Sequence, residues 1–420
     1  MRTTEEHLAA ALALVEPLPE IELALDEALG CVLTRPLLAP DPLPRWDNSS
    51  MDGYAVRAAD TAGASVGTPR ALSVLADLAA GTAEDPVVAP GTAARIMTGA
   101  PLPRGADAVV PVESTDGGGT VVQVLAVAAP GDFVRRVGED ARAGDVVLAA
   151  GAQLNAQQVG AAAAIGAGRV HVRPRPRVAV LATGSELVEI GVPLRRGQIP
   201  DSNSHLLTAA VREAGGVPVP LAAVPDDPAV FRAVLSGLRG RVDAVVTSGG
   251  VSMGAFDVVK EALRDEPGME FVAVAMQPGR PQGLGTLDDG TPVFCLPGNP
   301  VSVFVSFEVF VRPAILRMRG FRSVRRPRLT AVVVDGWSSP RGRAQYMPVV
   351  LERADDAWAD DGWFVPAWFG DGWTVRQVAR GGSGSHLVAS LGGAQALAVV
   401  PADVVEVVPG DTVPVMLVNR

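Results

Sequence analysis

DAVVTSGGVSMGAFD, residues Asp243 to Asp257, reads as a buried strand that breaks into a glycine turn and reopens as a helix. Ala244 to Thr247 is a short apolar run rich in β-branched residues, Gly249 and Gly250 permit a tight turn, and Phe256 to Leu263 has helical spacing. In nucleotide-binding versions of such a unit, backbone N–H groups and the helix N-terminus hold phosphate, commonly with a lysine nearby. Here the loop carries Ser248, Ser252 and Asp257 instead. An acid beside an anion site makes chemical sense when a divalent cation lies between them. A glycine turn with a solvated aspartate would look the same in isolation, so the neighbouring segments decide.

Between Arg177 and Arg319 short apolar strands alternate with helices. Val178 to Leu181, Val217 to Ala223, Ala244 to Thr247, Phe271 to Ala275 and Val293 to Leu296 are the expected strands. Ser204 to Ala214, Pro228 to Leu238 and Val301 to Ile315 are further helices. Repeated βαβ units imply a parallel sheet covered on both faces, and such sheets bind ligands beyond the carboxyl ends of their strands. Each unusual short motif falls at one of those ends: TGSE (Thr183 to Glu186), PDDP (Pro225 to Pro228), SGGVSMGAFD, QPGRP (Gln277 to Pro281) and LPGNP (Leu296 to Pro300). Singly, Asp226 and Asp227 would serve as a helix N-cap and Pro297 and Pro300 as turn formers. Their convergence on one rim points to a site.

TGSEL, SGGVSMGAFD, PGRP and LPGNPVS together resemble the molybdopterin-binding domain of molybdenum cofactor biosynthesis proteins. DNSSMDGYAV (Asp47 to Val56), RIMTGAPLP (Arg95 to Pro103) and the following GADAVVPVE narrow this to the molybdopterin molybdenumtransferases, the MoeA family that includes the gephyrin E domain. The motifs run in family order along nearly the whole chain.

The remaining composition fits. A chain of 420 residues, 48% apolar, has material for several cores, and a net charge of −10 without a basic run long enough to offset it argues against a nucleic-acid surface. Two distant cysteines, Cys31 and Cys295, offer neither a disulfide framework nor a zinc site, as expected in a reducing cytoplasm. Val146 to Gly168 lacks charge, but Gln153, Asn155, Gln157, Gln158 and four glycines mark a soluble Ala-rich helix, not a membrane span. Glu5 and Glu6 argue against a signal peptide, and Thr3 with Glu6 forms the pattern of a capping box.

The expected architecture is multidomain α/β plus β. Residues 1–44 and 138–175 form a discontinuous helical and extended linker domain, and residues 45–137 a β-rich insert with strands at Val74 to Leu78, Ala93 to Met97, Ala108 to Val112 and Val121 to Val127. Residues 176–322 form the molybdopterin-binding α/β domain and residues 323–420 a C-terminal β-barrel-like domain.

The resemblance implies a head-to-tail homodimer whose active site is shared, with Asp52, Thr98 and Asp140 reaching the sheet domain of the other subunit. The implied reaction joins molybdate to the dithiolene of adenylated molybdopterin, hydrolyses the phosphoanhydride and releases AMP. Molybdate, pyrophosphate link and dithiolate are all anionic, so Mg²⁺ is expected to bridge Glu186, Asp226, Asp257 and Asp52 to phosphate oxygens. Asp226 and Asp227 are not separable at this stage. Thr183, Gly184, Ser248, Gly249, Gly250 and Ser252 would approach the pterin or its phosphates, with Pro297 and Pro300 as a rigid wall and Arg280 as the cation. The family commonly has KPGKP where this chain has QPGRP, so Gln277 stands where a lysine is expected. Either Arg280 with C-terminal groups such as Arg343, Ser385 and His386 compensates, or the oxyanion binds more weakly. GGSGSH (Gly381 to His386) resembles the family's glycine-serine loop. Molybdate and tungstate have the same charge and nearly the same size, so the pattern suits either. Two alternatives share the sheet domain: a molybdopterin-binding scaffold like the gephyrin E domain, and a molybdopterin adenylyltransferase, which is also a candidate partner. The acid cluster argues against the first, and the insert and barrel against the second.

Overall fold

The computed structural model describes residues 1–251, 257–264, 266, 268–353, 372–379 and 382–418. Ser252, Phe256 and Gly381 lie outside them. The chain divides into two compact units, one comprising residues 1–21, 30–32 and 172–420, the other residues 22–29 and 33–171.

The first unit is built on a six-stranded sheet. Its spatial order is Val217–Pro220, Arg177–Ala182, Ala244–Ser248, Pro292–Leu296, Pro281–Thr286, Glu270–Ala273. The first four strands are parallel, and Pro281–Thr286 runs antiparallel to both its neighbours. Alternation along the strands sends Val178, Val180, Val246 and Phe294 to one face and Ala179, Leu181, Val245, Val293 and Cys295 to the other. Helix Ser202–Glu213 covers the first face with Leu207 and Val211, and helices Pro228–Ser236 and Val258–Leu263 cover the second with Phe231, Leu235, Val259 and Leu263. Both faces are therefore covered by apolar side chains, as a parallel sheet requires.

Strand Pro281–Thr286 escapes the sequence reading, since PQGLGT looks like a turn. Its glycines are packing residues. A Cβ at Gly283 would lie 2.7 Å from the Phe271 ring, and one at Gly285 2.5 Å from Met269 Sδ.

The expected helix after LPGNP begins at Pro300 and continues to Met318, but Phe307–Val311 is a π turn. Pro313 supplies no N–H to the α ladder here, and the wider turn accommodates that loss. Glu308, 3% exposed, sits in this turn and accepts both Arg326 Nε at 2.8 Å and Nη2 at 3.1 Å. The N-terminal helix Thr4–Ala13 carries the capping box between Thr3 and Glu6 and packs Leu8 and Ala11 into the same core.

The C-terminal region closes into a barrel of five strands. Ala344–Arg353 pairs with Trp373–Gln377, then Arg328–Val333, Thr412–Leu417 and Ala396–Val400 follow, the last returning to Ala344–Arg353. Val349, Val375, Ala398 and Val415 fill its interior. Met276–Gln277 adds to Ala344–Gln345, which ties the barrel to the QPGRP loop.

The second unit contains a five-stranded sheet ordered Ala108–Pro111, Gly53–Val56, Thr92–Ile96, Arg70–Leu78, Val121–Val124, around Tyr54, Val56, Leu72, Val110 and Val122. Helix Ala156–Ala164 forms where the Ala-rich stretch predicts it. Among the described residues, no helix is long and apolar enough to cross a membrane.

Candidate functional site

A cleft of ≈ 570 Å³ opens at the carboxyl ends of the parallel strands. It is lined by every loop that the sequence places at the rim. Thr183, Gly184, Glu186, Asp226, Ser248, Gly249, Gly250, Asp257, Arg280, Pro297, Pro300 and Ser385 all face it.

Strand pairing sets the floor. Ala182 lies beside Ser248, Ser248 beside Leu296, and Thr183 N–H donates to the Ser248 carbonyl at 2.9 Å. Gly249, at φ +93°, turns directly off this ladder, and a Cβ there would lie 2.6 Å from the Thr183 carbonyl oxygen. The Glu186 carboxylate folds over Gly184, 2.6 Å from where a Cβ would stand, so a side chain at Gly184 would push that carboxylate aside. TGSE thus aims its acid back toward the strand end that the glycine loop leaves.

Asp226 and Asp227 separate cleanly. Asp227 Oδ1 accepts Ala229 N–H at 2.8 Å and Val230 N–H at 3.2 Å, so it is the N-cap of helix Pro228–Ser236. Asp226 faces the cleft, where its Oδ2 accepts Ser185 N–H at 3.0 Å while its own N–H donates to Ser185 Oγ at 3.2 Å. Asp257 stands at the N-cap of helix Val258–Leu263, its Oδ2 3.3 Å from Lys260 Nζ.

The cationic side of the cleft is QPGRP. Arg280 lines it, and Gln277 accepts a hydrogen bond from Arg343 Nη1 at 3.2 Å. Arg343 also borders an adjoining hollow with Trp337, Ser338 and Ser383. A guanidinium therefore stands beside the position from which the expected lysine is missing. Asn299 Nδ2 donates to Ser385 Oγ at 2.8 Å, bringing the barrel's glycine-serine loop onto LPGNP.

Two cleft residues were invisible to pattern reading: Asn203, in the first turn of helix Ser202–Glu213, donates to the Gly298 carbonyl at 2.7 Å, and Ser202 lines the wall beside Ser302 of LPGNPVS. The only hint is the polar run DSNS at a helix start, which normal capping explains.

In the second unit, Asp52 Oδ1 accepts both Thr98 N–H at 2.6 Å and Thr98 Oγ1–H at 2.7 Å. These bonds hold its carboxyl below the usual carboxylate range. Asp140 lines a hollow with Leu43, Asp145 and Ala161.

Neither cysteine joins the site. Cys295 is fully buried in the sheet, and burial pushes its thiol up to about 12; burial also raises that of Cys31.

Among the described residues, no three His, Cys, Asp or Glu side chains converge as a metal cage. Mg²⁺ does not require one, because it is usually held by one or two carboxylates together with substrate phosphates. Glu186 and Asp226 offer hard oxygen donors in one cleft, and Asp226 Oδ1 remains for a ligand while Oδ2 holds Ser185. The donor set fits that ion.

Comparisons with known proteins cover the whole chain. The MoeA N-terminal region (domain I and II) matches residues 2–166, the probable molybdopterin binding domain residues 179–317, and the MoeA C-terminal region (domain IV) residues 330–418. Molybdopterin molybdenumtransferase 2 of Mycobacterium tuberculosis is 44% identical over 416 residues, 98% of either chain. Molybdopterin molybdenumtransferase 1 of the same organism is 38% identical over 436 residues, covering 99% of this chain and 98% of that one. The crystal structure of a molybdopterin biosynthesis MoeA protein from Pyrococcus horikoshii matches with a TM-score of 0.78 at 30% identity, over 99% of this chain and 98% of that one. With such identity over its full length, the chain belongs to the MoeA family of molybdopterin molybdenumtransferases.

Proposed function

We infer that this protein is a molybdopterin molybdenumtransferase acting in molybdenum cofactor biosynthesis: it inserts molybdenum from molybdate into adenylated molybdopterin and releases AMP. The observation that carries this reading is the meeting of Glu186, Asp226 and Asp257 with Arg280 in one cleft at the carboxyl ends of a parallel sheet.

The substrates are anions, so the division of the cleft into an acidic and a cationic side has a chemical use. Arg280, with Arg343 behind Gln277, attracts the oxyanion and holds it near the pterin's sulfurs. The glycine loop at Gly249 and Gly250 lets phosphate or pterin approach the backbone closely. Glu186 and Asp226 would hold Mg²⁺, which when bound neutralises phosphate oxygens and polarises the bond that breaks. Asp257, kept near Lys260, orients the water that opens the phosphoanhydride and accepts its proton at a carboxylate oxygen. In this reading a second copy of the chain supplies Asp52, Thr98 and Asp140, and the active form is a homodimer. Thr98 holds the Asp52 carboxylate in place through two hydrogen bonds.

The test is molybdate-dependent AMP release from adenylated molybdopterin with Mg²⁺, comparing the native protein with Asp257→Ala. Loss of release in a variant that still folds and dimerises supports an insertase using this loop. Absence of release from both, with adenylated molybdopterin still bound, would transfer the protein to the binding-scaffold class.

A further inference from the structure

Beneath the QPGRP loop lies a buried amide that does not itself line the cleft. Gln282, 2% exposed, uses both hydrogens of Nε2: one bond runs to the Gly279 carbonyl at 2.6 Å and the other to Ser306 Oγ at 2.7 Å. Ser306 is fully buried at the end of helix Pro300–Ser306, so Gln282 ties the PGR turn to the helix that starts from LPGNP. The next peptide group is anchored as well, since Val274 N–H donates to the Arg280 carbonyl at 2.7 Å.

This pinning has a directional consequence. The peptide between Gly279 and Arg280 is trans, so its C=O and N–H point to opposite sides. With the carbonyl drawn into the interior by Gln282, the N–H of Arg280 is turned away from the interior, in a loop whose Gly279 and Arg280 both line the cleft. Pro278 and Pro281 have no N–H, so few other backbone donors of this loop could substitute. Gly279, at φ +101°, completes the device: a Cβ there would lie 2.9 Å from Ser306 Oγ and 3.4 Å from Gln282 Nε2.

We propose that Gln282 is a positioning residue for oxyanion binding, fixing the Gly279–Arg280 peptide so that the Arg280 N–H and its guanidinium act on the same anion. The proposal rests on the reading of the cleft as a molybdate-handling site. It also bears on the missing lysine: a fixed backbone donor adds to the cleft an attraction that Gln277 lacks as a charge.

The experiment measures AMP release while molybdate and adenylated molybdopterin are varied separately, together with direct molybdate binding, in native protein, Gln282→Leu, Gln282→Glu and Ser306→Ala. Gln282→Leu should raise the KM for molybdate about tenfold, the scale of one oriented hydrogen bond, and leave the KM for adenylated molybdopterin within about twofold. Gln282→Glu can donate to Gly279 only when protonated, so its molybdate KM should climb with pH where that of the native protein stays flat. Ser306→Ala should have the smaller effect, because the Gly279 bond survives. If Gln282→Leu does not fold, the pH profile of Gln282→Glu decides. A lower melting temperature with unchanged molybdate KM in the variants would reduce Gln282 to a core residue and leave the proposed function standing. Native protein that neither binds nor uses molybdate would remove that function and this role with it.

Discussion

Glu308 and Asp226 belong to the same unit and are committed in opposite ways. Glu308 is buried in the π turn, with both carboxylate oxygens taken by the Arg326 guanidinium and Arg312 4.0 Å away. Asp226 sits at the rim, where one oxygen is fixed by Ser185 N–H and the other remains for a ligand. A carboxylate saturated by a bidentate arginine can only hold structure together. One that is oriented but left with coordination capacity can bind. The comparison separates structural from functional acids more sharply than burial or sequence does.

The largest expected effect breaks the functional side. Asp226→Asn and Asp257→Ala should each reduce AMP release by about two to three orders of magnitude, on the scale of lost electrostatic stabilisation in other active sites. Their urea unfolding midpoints should stay close to native. A large shift in midpoint would place these acids with Glu308. The structural side gives the mirror image: Arg326→Met leaves a buried carboxylate without its partner and should cost about 3–5 kcal/mol in denaturant unfolding. The KM values of whatever protein remains folded should be native.

Smaller effects sharpen the comparison. Arg343→Ala should raise the KM for molybdate about tenfold, and increasingly so at low ionic strength, where the lost charge is least screened. An effect independent of salt would make Arg343 a packing residue of the barrel. The smallest concerns Asp52, whose pKa is depressed by Thr98. A depressed carboxyl stabilises the folded state above its unfolded pKa, and that contribution disappears as pH falls through the folded value. Thr98→Val removes one of the two bonds, so a carboxyl NMR titration should show Asp52 moving back up toward the ordinary range. No movement would mean the backbone N–H alone sets its charge.

Much of this was legible in the residues. The run of βαβ units gives the parallel sheet because β-branched runs, helix caps and glycine turns agree with one another locally. The Thr3–Glu6 capping box and the five rim motifs follow from the same local physics. What stayed hidden depends on tertiary neighbours. PQGLGT is a strand only because Phe271 and Met269 occupy the volume its glycines vacate. Asp226 and Asp227 are chemically identical until helix Pro228–Ser236 takes one of them as its cap. Asn203 looks like a capping residue until Gly298, nearly a hundred positions later, is placed against it.

The burial of Cys295 and Cys31 has a bearing on sulfur chemistry. The chain has two cysteines; the neutral thiol is favoured in each, and neither is exposed to solvent. The thiolate is the form that ligates soft metals and attacks disulfides. For an enzyme that loads a metal onto a dithiolene, a protein thiolate would be a competing ligand for that metal. With both cysteine thiols buried and held toward the protonated form, the proposed reaction would meet no cysteine thiolate competing with the substrate's dithiolene for the metal.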